Sequence, residues 1–374
     1  MERYSDPECI YNYKYQSISH SLFDRVFRYW LDYSFRFVPP QMSANLLSMI
    51  GNLGSWFALI LMIAFGSNYG VHHRHLFAIA GLSVAFYHTV DNLDGRQARR
   101  IGSSGPLGEF VDHWFDSFNV FFFPLGALAA FPVLPAHWAI AIIVICSLAD
   151  WMTLREVMKT NVMYFGHLST DEGIFLYWAF LLSVFFFGYD FWALPHPVLG
   201  FRPIYLLFAA FVLSCSSVIV KTLVKYRGMG LREILAEVAV MSPVILWIHT
   251  VSPIFGRHFS LVTGLLVIGF IGSRHVGDLL RARLVGLKYP ILFADLTACS
   301  AFVLVVSLVH RYLAILPAWL LLLPIVILLV DTVQALVLQF LRTVRRVYDC
   351  LGIPLFGAGA PEEIVAIESL TGKV

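Results

Sequence analysis

The chain has 374 residues, of which 59% are hydrophobic and only 13% charged, with 32 Phe, 16 Tyr, 9 Trp and a formal net charge of +2. A mean hydropathy of +0.75 excludes an ordinary soluble domain, in which about a quarter of the residues are charged. No nucleic-acid partner is expected. The five cysteines, Cys9, Cys146, Cys215, Cys299 and Cys350, have no paired spacing, so neither a disulfide framework nor a zinc site is indicated.

Met1–His20 is polar and tyrosine-rich without an apolar run; no cleavable signal peptide is expected, and the first spanning helix must act as the insertion signal. In residues 20–38, Leu22, Val26, Trp30, Tyr33 and Phe37 recur at helical spacing, with Asp24, Arg25, Arg28, Asp32 and Arg36 between them. This pattern predicts an amphipathic helix lying on the cytosolic leaflet. Pro39-Pro40 would end it and turn the chain into the membrane.

Ten segments of roughly the 20 apolar residues a bilayer requires follow: 44–65, 75–94, 106–131, 136–157, 173–190, 203–223, 233–251, 259–280, 290–310 and 316–340. The expected fold class is therefore an all-α polytopic membrane protein, with about ten transmembrane helices preceded by an interfacial helix. Lys and Arg number 13 after the even-numbered segments and 4 after the odd-numbered ones, with Arg274, Arg281 and Arg283 counted after the eighth. The positive-inside rule then predicts that both termini are cytosolic. The predicted organisation is a cytosolic segment over 1–42, a transmembrane domain over 43–350 and a fraying cytosolic tail over 351–374. G-L-L-V-I-G-F-I-G in the eighth segment predicts glycines for helix packing rather than a dinucleotide fingerprint.

Between segments 2 and 3 the chain reads D-x-x-D-G-x-x-A-R-x8-G-x-x-x-D-x-x-x-D, filled by Asp91, Asp94, Gly95, Ala98, Arg99, Gly108, Asp112 and Asp116. Asp91 and Asp94 share a helix face, and Glu109, Asp112, His113 and Asp116 form one polar stripe on the next helix. A short turn around Ser103–Pro106 would bring the two stripes together as a half-buried cluster of oxygens. Such ligands select hard cations, Mg²⁺ or Mn²⁺, over zinc, and four carboxylates in one pocket cannot all stay ionised without them.

All eight positions resemble the signature of the CDP-alcohol phosphotransferases, and the longer string D-N-L-D-G-R-Q-A-R-R-I-G-S-S-G-P-L-G-E-F-V-D-H looks like their eukaryotic choline/ethanolamine branch. The resemblance implies transfer of phosphoethanolamine or phosphocholine from CDP-ethanolamine or CDP-choline to 1,2-diacylglycerol, with release of CMP. It also implies residence in the endoplasmic reticulum or Golgi and a homodimer. Asp91, Asp94, Asp112 and Asp116 would hold two ions about 3.5–4 Å apart that bridge the diphosphate. Gly95 and Ala98 leave room for the nucleotide and Arg99 offers a guanidinium to phosphate, with Gly108 among the nucleotide-side positions. Asn45 stands where the family uses an Asn near the nucleotide, although Ser43-Ala44 replaces the usual Pro before it; a polar helix cap is the alternative.

His113 can take the acceptor's proton, oriented by Glu109 four residues earlier, and the resemblance implies this pair. Smaller bacterial relatives give the base role to the last acid of the motif, here Asp116. His88, one turn before Asp91, lines the site or bonds a neighbouring helix. Asp150, Asp171, Asp278 and Asp331 lie near predicted helix ends, where interfacial solvation accounts for them. Two other functions are compatible with acids among apolar helices: a transferase using CDP-diacylglycerol and a soluble alcohol, and a polytopic transporter, against which stands the clustering of the acids at one face. The sequence does not distinguish ethanolamine from choline.

Overall fold

The computed structural model describes residues 10, 13, 16–19, 22–67, 72–165, 170–225, 231–287, 289 and 293–357. Cys9, Arg227, Lys288 and most of the predicted tail lie outside the described residues. The described residues hold twelve α-helices and one pair of short strands.

Helix α1, Leu22–Phe35, falls within the predicted amphipathic stretch. Val26, Trp30, Tyr33 and the following Phe37 are all more than half exposed, whereas Leu31 is buried. An exposed apolar stripe of this size suits a lipid interface and would be costly against water. Trp30 Nε1 donates to Thr89 Oγ1 at 3.1 Å and Asp32 pairs with Arg96, which fastens α1 to the helix bearing the motif. The turn at Pro39-Pro40 is also tied down. Gln97 donates to the carbonyl of Pro40 at 3.2 Å, and Arg100 to those of Val38 and Pro39 at 2.8 and 3.0 Å. Carbonyls of a proline turn have no helical partner, so donors must come from elsewhere.

Ten long helices follow: α2 (Ala44–Leu61, continued by a π-helical turn over Met62–Gly66), α3 (His75–Arg100), α4 (Pro106–Ala130) and α5 (Ala136–Thr160), then α6 (Thr170–Phe187), α8 (Ile204–Lys225), α9 (Leu231–Phe255), α10 (Arg257–Val285), α11 (Ala294–Leu313) and α12 (Leu323–Leu351). A five-residue helix α7, Tyr189–Ala193, lies between α6 and α8. Among the described residues, nine helices are long and apolar enough to cross a membrane. The sequence pattern gives ten. The difference is α4, whose 25 residues are long enough at about 1.5 Å per residue but include Glu109, Asp112, His113 and Asp116. It can carry them because the bundle surrounds it: 20 of its residues are buried.

Helices α4 and α10 form the centre, with α2, α5, α9 and α12 around them, while α8 and α11 keep most of their surface outside the bundle. Glycines set the closeness of the central contacts. A methyl group at Gly269 would enter the Phe121 ring, and one at Gly272 would lie 2.7 Å from Ser147, so the predicted packing role of the glycine run holds. Loop connections are shorter than the apolar pattern suggests, because helices continue past it. Thus α10 extends to Val285 and takes in Arg274, Arg281 and Arg283, which the charge pattern places in a connection. Arg274 is only 3% exposed.

One feature adds to the all-α expectation. Strands β1 (Gln16–Ser19) and β2 (Val162–Phe165) pair in parallel, Gln16 opposite Val162 through Ser19 opposite Phe165. Four residues are too few to give an alternation signal.

Candidate active site

Helix α3 carries Asp91 and Asp94 one turn apart near its C-terminal end. The reversal into α4 is made by Ile101–Gly105, with Gly102 at φ +66°, a left-handed conformation that glycine adopts without strain. Pro106 opens α4 at a position where a missing N–H costs nothing. Two helices joined this tightly must lie side by side. Ligand atoms of Asp91, Asp94 and Asp112 lie within 4.8 Å of one another, as do those of Asp112, His113 and Asp116. Asp112 belongs to both groups, so the four predicted acids and His113 form one continuous cluster.

Polar side chains from three helices hold this cluster in place. The Ser48 hydroxyl of α2 donates to Asp94, and Tyr87 of α3 donates to Asp116 Oδ1 at 2.7 Å. Asn119 of α4 donates to Asn52 at 2.7 Å, and Asn52 donates to the Ser48 carbonyl at 3.0 Å. None of Ser48, Asn52, Tyr87 or Asn119 belongs to the motif; their signal in the sequence is only that polar residues stand in apolar segments.

The donor set fits a hard divalent cation. Its oxygens are carboxylates and its one nitrogen is His113, with no thiolate present. Asp91 Oδ1 is buried and has no hydrogen-bond partner among the described residues, a costly state for a carboxylate that a bound cation would relieve.

The two expected proton-transfer residues are differently placed. His113 is buried, with Nδ1 3.9 Å from Asp112 Oδ2. Glu109, also buried, accepts from the Tyr13 hydroxyl on one oxygen and from the Arg283 guanidinium on the other. The Arg283 guanidinium lies 5.6 Å from the Tyr13 ring centre. Glu109 is thus an anchor between α4, α10 and the N-terminal segment, in addition to being one turn from His113. Sequence reasoning misses both Tyr13 and Arg283.

Of the residues expected near a nucleotide, Asn45 donates from Nδ2 to the Leu355 carbonyl at 3.0 Å. A methyl group at Gly108 would stand 3.8 Å from Asn45 Oδ1, so these two predicted residues are neighbours. Ser43 occupies the cap position of α2 without a side-chain capping bond. Arg99 is exposed, Ala98 half-buried, and the Arg99 guanidinium lies close to Gly95.

His88 bonds a neighbouring helix. Trp178 donates to its Nδ1 at 3.4 Å and its Nε2 lies 3.4 Å from Asp171, both partners on α6. Interfacial solvation therefore does not account for Asp171, nor for Asp331, which pairs with buried Arg274 at 2.8 Å.

The fold and site together define a polytopic helical membrane protein with acids gathered at the turn between two of its helices. Residues 41–222 match the sequence model described as CDP-alcohol phosphatidyltransferase, and the chain carries a domain of that family. It is 33% identical over 196 residues to uncharacterized CDP-alcohol phosphatidyltransferase class-I family protein 3 of Dictyostelium discoideum, covering 50% of this chain and 47% of that protein. Protein 2 of the same series and organism is 22% identical over 321 residues, covering 83% and 78%. Mouse cholinephosphotransferase 1 is 26% identical over 242 residues, covering 62% and 59%. The chain spans about half the length of the first of these relatives.

Proposed function

We propose that this protein transfers phosphoethanolamine or phosphocholine from CDP-ethanolamine or CDP-choline to 1,2-diacylglycerol, forming phosphatidylethanolamine or phosphatidylcholine and releasing CMP. The observation that carries the reading is the convergence of Asp91, Asp94, Asp112, Asp116 and His113 at one turn between two helices. The likeness to cholinephosphotransferase 1 supports the acceptor and donor class.

In this reading the four aspartates hold two Mg²⁺ or Mn²⁺ ions. When bound, the ions withdraw charge from the diphosphate and stabilise the departing CMP. Asn45, Gly95, Ala98 and Gly108 bound the space for the nucleotide, and Arg99 pairs with a phosphate. His113 accepts the proton of the diacylglycerol hydroxyl as its oxygen bonds to the β-phosphorus and the bond from that phosphorus to the CMP oxygen breaks. Glu109, fixed by Arg283 and Tyr13, sets the depth and tilt of α4 at His113.

The domain limits follow the same reading: 1–42 cytosolic with the interfacial helix, 43–350 transmembrane, 351–374 cytosolic. The site faces the cytosol of the endoplasmic reticulum or Golgi, diacylglycerol enters laterally from the bilayer, and later helices form a homodimer. Purified protein with Mg²⁺, diacylglycerol and each CDP-aminoalcohol in turn is the test. Lipid product and stoichiometric CMP are expected with at least one donor, and none from CDP-diacylglycerol with inositol or glycerol-3-phosphate. No product from either aminoalcohol donor would sink the reading.

A further inference from the structure

The chain that follows α12 returns to the start of α2, beside the acidic cluster. Helix α12 packs along α4, with the Phe340 ring 4.9 Å from that of Trp114 and 5.9 Å from that of Phe110. It ends at Leu351, where Gly352 stands at φ +66° and donates its N–H to the Tyr348 carbonyl at 2.8 Å, a left-handed stop. Ile353 and Leu355 beyond it are half-buried against the core, whereas Phe356 is exposed. The Leu355 carbonyl accepts from two side chains at the start of α2, Asn45 Nδ2 at 3.0 Å and Ser43 Oγ at 3.5 Å. Ser43 is the cap residue that makes no capping bond; its hydroxyl is engaged by this carbonyl instead. Asn45 and Leu355 are 310 positions apart in the chain, and Leu355 lies outside the 41–222 stretch that matches the family.

This contact decides which way the Asn45 amide faces. A carbonyl oxygen only accepts, so the amide nitrogen must face Leu355 and Oδ1 must face away from it. Oδ1 accordingly lies on the side of Gly108, where a methyl group would stand 3.8 Å from it. It accepts no hydrogen bond among the described residues. Two helical spacings put that oxygen beside the acids. Asn45 precedes by three residues Ser48, which donates to Asp94, and Gly108 precedes Asp112 by four; each pair shares a helix face. An ionised phosphate offers no hydrogen to such an oxygen, so its partner in a nucleotide is an N–H or O–H of the nucleoside. Without the Leu355 carbonyl nothing would stop the amide from turning over and presenting its donor there.

We propose that Leu355 is a positioning residue for the nucleotide: its main-chain carbonyl fixes the Asn45 amide so that Oδ1 accepts a hydrogen bond from the nucleoside of the CDP-alcohol. The inference rests on the transferase reading for the identity of the ligand, and on the two hydrogen bonds to Leu355 for the role of that residue.

The test is the full-length protein with Ile353→Ser and Leu355→Ser together, which releases the segment from the core without touching α2 or the acids. KM for the CDP-aminoalcohol should rise about fivefold, the loss of one hydrogen bond, while kcat, KM for diacylglycerol and Mn²⁺ binding stay at the wild-type level. In an Asn45→Ala background the same pair of changes should raise KM no further. A chain ending at Gly357 keeps the contact and should behave as wild type, whereas one ending at Leu351 should match the double variant. Calorimetry with CMP and UMP, without diacylglycerol, makes the same comparison independently of turnover. A weakening confined to CMP identifies the cytosine amine as the donor, and one shared by UMP a ribose hydroxyl. Unchanged KM in both the double variant and the chain ending at Leu351 overturns the proposal. So does a fall in KM, which would make the segment an obstruction, or an equal rise in the Asn45→Ala background. A wild-type protein that binds CMP yet makes no lipid from either aminoalcohol donor defeats the transferase reading, and the CMP comparison then still decides the role of Leu355. One that binds neither nucleotide defeats the positioning role itself.

Discussion

Arg283 of α10 and Glu109 of α4 form a buried ion pair, with side chains 8% and 3% exposed. Arg283 lies beyond the 41–222 stretch that matches the family, so the later helices help to fix the depth of the motif helix. Removing one partner of such a pair leaves the other charge buried alone, which typically costs about 3–5 kcal/mol. Arg283→Ala should therefore lower the melting temperature in detergent and reduce turnover by at least about tenfold, since small displacements at a reacting centre are costly. Arg283→Lys should recover part of both. A variant with wild-type melting and turnover would show that the pair does not position the site.

The cluster of Asp91, Asp94, Asp112 and Asp116 should act as a unit, because Asp112 belongs to both of its groups. Replacing any one by Asn keeps shape and removes charge, and turnover should fall by about 10²-fold or more. Mn²⁺ binding, followed by electron paramagnetic resonance, should weaken in parallel. Near-normal turnover of Asp91→Asn at low Mg²⁺ would rule out the assignment, and Asp91 is the most telling choice because its buried Oδ1 lacks another partner among the described residues.

Tyr87 and Ser48 should matter as supports for the acids. Tyr87→Phe removes the 2.7 Å bond to Asp116 and Ser48→Ala the bond to Asp94, each worth about 1 kcal/mol or somewhat more to a charged acceptor. Turnover should fall by about fivefold to tenfold in each, with the Mg²⁺ concentration for half-maximal rate raised. An unchanged Mg²⁺ dependence in both variants would mean that the acids keep their geometry without them.

What the sequence reveals about this molecule is what lies within single helices. The i, i+3 spacing of Asp91 and Asp94 and the stripe from Glu109 to Asp116 are local, and the short turn between them leaves one way to juxtapose them. The amphipathic pattern of α1 and the glycine run of α10 are local too. Partners contributed by distant segments leave no such periodic trace. Arg283 with Glu109, Arg274 with Asp295 and Asp331, and β1 with β2 are set by how helices pack. Arg274 reads as a connection residue because a cation in an apolar stretch resembles a helix end. The neighbouring acids Asp295 of α11 and Asp331 of α12 make its burial tolerable.

The choice between His113 and Asp116 as the base can be settled by separating proton transfer from metal binding. Asp116 stands within the acidic cluster and accepts from Tyr87; a carboxylate bound to a divalent ion is a poor base. The His113 imidazole is not needed to hold hard cations, so His113→Ala should abolish transfer while CDP-alcohol and Mn²⁺ binding, measured by calorimetry, stay near wild type. Asp116→Asn should instead weaken Mn²⁺ affinity, with partial rescue of turnover by excess metal. Glu109→Gln should slow the same step as His113→Ala, and the double variant should be little worse than His113→Ala alone, as for residues that act together. Because Arg283 also loses its counter-charge in Glu109→Gln, that variant should melt earlier as well, which His113→Ala should not. If His113→Ala still makes phospholipid at a near-native rate, the base is Asp116 and His113 serves packing.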